Sequence, residues 1–111
     1  MKYISDEQHK ALAKNLEEIA KEIKTSENGV QNVKFFIDTI VLSFGKDEAV
    51  DNGMVEIDDR TGEYFVSLGS WSAVTTEARK NIQAKRFAEA RSAVGYAVRT
   101  FTMINNFFKQ F

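Results

Sequence analysis

Apolar residues in the first quarter of the chain return every three or four positions: Leu12, Leu16, Ile19 and Ile23, with Ala13 and Ala20 beside them. Lys10, Lys14, Glu17, Glu18, Lys21 and Glu22 take the opposite side, so the stripe is one face of an amphipathic helix. Its start is marked by Ser5-Asp6-Glu7-Gln8, a capping box in which the Ser5 hydroxyl and the Gln8 amide satisfy reciprocal backbone N–H groups. Asp6 and Glu7 sit at the positive end of the helix dipole and Lys21 and Lys24 at the negative end. The pattern predicts a helix over 6–24, ended by Ser26-Glu27-Asn28-Gly29.

The next segment carries two signals. Val33, Phe36, Ile37, Ile40, Val41 and Phe44 follow i, i+3, i+4, i+7, i+8, i+11, and Gly45 stands where a helix often ends, which predicts a helix over 30–44. The same residues, with Phe35 and Leu42, are β-formers, and propensity alone reads a strand. Periodicity is given precedence here; a strand instead would add to the sheet that follows. That sheet is a β-hairpin over 53–68, where two runs of β-formers flank Asp58-Asp59-Arg60-Thr61-Gly62. Aspartate suits the first position of a type I turn, and Gly62 the left-handed position after it.

Toward the C-terminus, Trp71, Val74, Ala78 and Ile82 form one helical stripe. Phe87, Ala90, Val94, Ala97, Phe101, Ile104 and Phe108 form another, out of phase with the first. A break near Ala84-Lys85 then separates helices over 72–83 and 86–109, a helical hairpin. The run Lys85-Arg86-Phe87-Ala88-Glu89-Ala90, with Val94 and Ala97, resembles the second helix of a tetratricopeptide repeat. The resemblance covers a single repeat and lacks the closing proline, and a stack of such units needs about three to bury its core. The expected fold is therefore α+β and mainly α: two N-terminal helices, one β-hairpin and a C-terminal helical hairpin, in a single domain over 1–111.

Composition narrows the chemistry more than it names it. The 111 residues contain no cysteine and one histidine, which removes disulfides, thiolate nucleophiles, thiolate metal sites and two-histidine sites together. His9 lies outside the Leu12–Leu16 stripe and reads as a solvated side chain. Asp47/Glu48 and Asp58/Asp59 lack the alternating spacing of a calcium loop, and no phosphate loop or dinucleotide fingerprint occurs. The expectation is a non-enzymatic protein with no cofactor and no metal. No apolar run is long enough to span a bilayer, and the polar N-terminus has no signal-peptide core, so a cytoplasmic location is expected.

Charge is balanced overall at −1 but split along the chain. Residues 1–70 hold 14 acids and 8 bases, giving −6, and residues 71–111 hold 2 acids and 7 bases, giving +5. The split reads either as attraction between two halves of one domain or as two interaction surfaces of opposite sign. On the second reading the acidic hairpin edge, Glu56, Asp58, Asp59 and Glu63, docks a basic groove on a partner protein. On the last helix a polar strip with Arg91, Gly95, Arg99 and Asn106 has the spacing to hold an anion or a partner, Gly95 leaving room for a close approach. A second apolar stripe, Tyr96, Met103 and Phe107, fits self-association into a homodimer.

These features point to a small protein-binding module, an adaptor or an inhibitor of a partner protein, with inhibitors carried by mobile elements against host enzymes or defence complexes as one instance. The alternatives are a module that binds a short anionic ligand or nucleic acid through the basic C-terminal helices, and a structural or assembly protein.

Overall fold

A computed structural model of the chain describes residues 3–23, 25, 29–45, 52–68 and 85–108, without the side chains of 68, 101 and 104–108. Its elements run α1 (Asp6–Glu22), β1 (Asn32–Phe36), β2 (Thr39–Ser43), β3 (Asn52–Asp58), β4 (Glu63–Leu68), β5 (Lys85–Phe87) and α2 (Ala90–Phe108). The strands form one antiparallel sheet in the order β1-β2-β3-β4-β5, so each strand pairs with the one before it in sequence.

The mainly helical expectation is therefore wrong in its largest part. The segment 30–44 is a β-hairpin, and the expected C-terminal helix over 86–109 starts only at Ala90, because Lys85–Phe87 is recruited as the fifth strand beside β4. That strand also removes the likeness to a tetratricopeptide helix, which needed 85–90 to be helical. The helix expected over 72–83 lies outside the described residues. The reason for the larger error is that apolar residues stand on both faces of the β1–β2 hairpin. Val33, Phe35, Ile40 and Leu42 point toward the helices, whereas Phe36 and Val41 share the opposite face, so a set drawn from both reads as one helical stripe. The β-propensity of the segment was the better guide.

Where the local signals agreed, the expected elements form. Ser5 caps α1 with both halves of the capping box in place, the Gln8 N–H donating to Ser5 Oγ at 3.1 Å and the Ser5 N–H to Gln8 Oε1 at 2.8 Å. The β3–β4 turn is closed by Thr61 and Gly62 N–H groups donating to the Asp58 carbonyl at 3.3 and 2.8 Å, and Gly62 takes φ +74°.

Both helices lie on one face of the sheet and touch each other. That face carries Ile40, Leu42, Val55, Ile57, Tyr64 and Val66, all buried, and α2 meets it with Ala90, Ala93, Val94 and Ala97. Three alanines let the helix backbone approach the sheet closely, and the larger strand residues fill the space between. α1 contributes Leu16 as its buried residue, with Leu12, Ile19 and Ile23 packed around it. Tyr64 ties the layers together: its ring is buried, and its hydroxyl donates to the Leu12 carbonyl at 3.0 Å. Burial pushes the phenol above its usual range, and a hydrogen bond with Asn15 works against that.

Candidate functional site

Alternation along the strands puts a second set of side chains on the face that neither helix covers. The register aligns Phe36, Thr39, Glu56, Phe65 and Arg86 into one row that crosses all five strands, and Asp58 and Glu63 pair beside it at the turn end. The row is amphipathic, with aromatic rings at Phe36 and Phe65 and carboxylates between and beside them. Phe36 is 55% exposed. The guanidinium of Arg86 lies 5.0 Å from the centre of the Phe65 ring, a cation–π contact, and donates from Nε and Nη2 to Asp58 Oδ2, both at 3.3 Å.

The four acids of the expected edge thus have different duties. Asp58 is committed: its Oδ1 accepts from the Arg60 N–H at 2.9 Å and its Oδ2 from Arg86. The Arg60 N–H holds its carboxyl below the usual carboxylate range, burial opposes that, and Arg86 adds to the lowering. Asp59 is committed as well, to His9. Glu56 and Glu63 form no ion pair among the described residues and keep their charge for solvent or a partner.

The histidine is the residue that sequence reasoning missed. His9 is only 13% exposed, its Nδ1 lies 2.6 Å from Asp59 Oδ1, and its Nε2 lies 3.4 Å from Asp38 Oδ2. One helical side chain thereby fastens α1 to the β1–β2 and β3–β4 turns, which the meander brings to the same end of the sheet. Both partners are distant in sequence, and no local signal announces the contact. The Tyr3 N–H adds a further tie, donating to the Asp59 carbonyl at 3.1 Å.

Asp38 belongs to a two-residue turn whose other member, Ile37, holds φ +47° and is 86% exposed. A β-branched residue there costs on the order of 1–3 kcal/mol and persists only where its surroundings over-determine it. Asp38 supplies that restraint. Its carbonyl accepts from the Ile57 N–H at 3.4 Å and its Oδ1 from the Thr39 hydroxyl at 3.1 Å, while His9 meets its Oδ2.

The polar strip of α2 is laid out differently from the expectation. Arg91 pairs with Glu22 of α1 at 3.0 Å. At Gly95 the space is taken by the chain itself: a Cβ there would stand 3.0 Å from Arg99 Nη1, so the Arg99 guanidinium folds back over the helix at that point. The side chain of Asn106 lies outside the described residues. Of the apolar stripe, Tyr96 packs on Phe87 of β5 with ring centres 5.3 Å apart and has Lys85 Nζ 5.0 Å from its ring. Met103 is 64% exposed, and the Phe107 side chain lies outside the described residues. Between α1 and the start of α2 runs a groove of about 300 Å³ lined by Leu12, Ile19 and Tyr64, with Glu22 and Arg91 also in its lining.

Among the described residues no group of three or more histidines and carboxylates could hold a metal, and no helix is long and apolar enough to cross a membrane. No protein-family model, curated protein or solved structure matches the chain.

Proposed function

We propose that the chain is a small protein-binding module, an adaptor or an inhibitor, that meets its partner with the face of its sheet opposite α1 and α2. The observation that carries this reading is the row Phe36–Thr39–Glu56–Phe65–Arg86, in which two aromatic rings stand on a face that neither helix covers, beside two carboxylates with no ion-pair partner among the described residues. Aromatic rings supply buried area on docking, and rim charges steer encounter and set orientation. Glu56 and Glu63 call for lysine or arginine on the partner, opposite an aromatic-accepting hollow. The basic side chains near the start of α2 favour this over an anion site: Arg86 is spent on Asp58 and Phe65, Arg91 on Glu22, and Lys85 on Tyr96.

The test reverses charge where the fold does not depend on it. Asp58 and Asp59 are poor choices because they hold Arg86 and His9, whereas Glu56→Lys with Glu63→Lys should shift stability by no more than about 0.5 kcal/mol. With wild type and the double variant as baits in extracts of the source cells, wild type is expected to retain a defined protein at low salt that the folded double variant loses. Retention of the same proteins by both baits rejects the reading.

A further inference from the structure

The two outer strands of the sheet are finished in different ways. β5 is three residues long, two of them basic, and its side chains are already engaged: Arg86 with Asp58, and Lys85 and Phe87 with Tyr96. A short, charged edge is the usual protection against pairing with another chain. β1 has five residues, Asn-Val-Lys-Phe-Phe, and runs into a tip where Phe36 and Ile37 are 55% and 86% exposed. It has one charge and no proline, and nothing among the described residues covers Phe36 at its end or Ile37 just beyond it.

We propose that β1 is a joining edge for a second copy of this chain, the two β1 strands pairing antiparallel about a two-fold axis through Phe35 to continue the sheet from one copy into the other. The side-chain pattern selects this register. Centred on Phe35, the pairing sets Phe35 against Phe35 of the second copy and Lys34 against Phe36, because residues of like parity share a face, and it brings the turn residue Ile37, just past the strand, alongside Val33 of the second copy. Each exposed apolar side chain then gains a partner, and the lone lysine meets an aromatic face. Centred on Lys34 instead, the axis would press two lysines together. Centred on Val33, it would leave Phe36 and Ile37 in water. An isologous contact of this kind closes on itself as a dimer, and it lays the faces opposite α1 and α2 in the two copies side by side.

The inference shares Phe36 with the partner-facing row but not Glu56 or Glu63, whose charge reversal tests that reading, and its own test needs no partner. Light scattering on the purified full chain should give twice the 12.6 kDa of one copy. Phe36→Lys places lysine opposite Lys34 twice per axis and is expected to halve that mass while the circular dichroism spectrum stays unchanged. Lys34→Glu added to Phe36→Lys turns both contacts into ion pairs and should restore the dimer, a rescue that only this register provides. Met103→Glu on α2 should leave the dimer intact. Wild type with single-chain mass at its highest soluble concentration, a Phe36→Lys dimer, a double variant that stays monomeric, or a Met103→Glu monomer would each overturn the proposal.

Discussion

The β1–β2 and β3–β4 turns lie at the same end of the sheet and are gripped by the same histidine, yet they are built on opposite principles. The β3–β4 turn is made of residues that want to be there: Asp58 caps it with its own side chain and carbonyl, and Gly62 takes the positive φ at no steric cost. The β1–β2 turn contains no glycine, proline or asparagine and forces Ile37 to φ +47° with its side chain in solvent. Intrinsic preference holds the first turn. The second depends on Asp38 being fixed from outside, through Ile57, Thr39 and His9. A strained, exposed, apolar tip gives the isolated chain no stability, and the free energy stored there fits a contact made with another molecule.

Removing the shared grip should separate the two turns most sharply. His9→Ala breaks one short charge-assisted contact and one longer one at a mostly buried ring, and a loss of about 2 kcal/mol in urea unfolding is expected. Hydrogen exchange should then rise at Phe36–Thr39 far more than at Asp58–Glu63, because only the first turn lacks support of its own. Equal loss of protection at both turns would break the comparison.

A smaller effect of opposite sign is expected at the two positive-φ residues. Ile37→Gly relieves the strained backbone and should stabilise the chain by up to about 1 kcal/mol, measured in the Phe36→Lys background so that association does not enter. Gly62→Ala should cost about as much, through its φ of +74°, since the added Cβ would meet Ile4 Cγ2 only at an ordinary 3.4 Å. Destabilisation by Ile37→Gly would mean that the exposed isoleucine already has a packing role within one copy.

The same contrast explains what could be read from the sequence. The β3–β4 hairpin and α1 were legible because their signals are local and consistent: Asp58-Asp59-Arg60-Thr61-Gly62 is turn chemistry, and Ser5–Gln8 is a cap that precedes a one-sided stripe. The β1–β2 hairpin was hidden because its turn has no glycine, asparagine or proline and because both of its faces carry apolar residues. β5 is three residues whose strand character comes entirely from pairing with β4. Of the candidate site, Glu56 and Glu63 could be picked out by their charge. What set them apart from Asp58 and Asp59 was contact with Arg86 and His9, which lie 28 and 50 residues away. The role of Gly95 was read as room for a visitor, whereas the visitor is Arg99 of the same helix.

The smallest expected effect tests how far the β3–β4 turn relies on charge as well as on shape. Asp58→Asn keeps an oxygen that can accept from the Arg60 N–H and removes the negative charge that Arg86 meets. The folded carboxyl titrates below its unfolded value near 3.8, so its contribution is present above that value and is lost as pH falls through the folded one. Wild type should therefore be slightly more stable than the variant at neutral pH, with the gap in urea midpoints closing as pH falls below 3.8. Salt should shrink the neutral-pH gap too, since the Arg86 side chain is 53% exposed and its attraction to Asp58 is screened. A gap that persists unchanged into acid would assign the turn to hydrogen-bond geometry alone. The β3–β4 tip would then be independent of the basic C-terminal half, and Arg86 would be left to Phe65 and the partner-facing row.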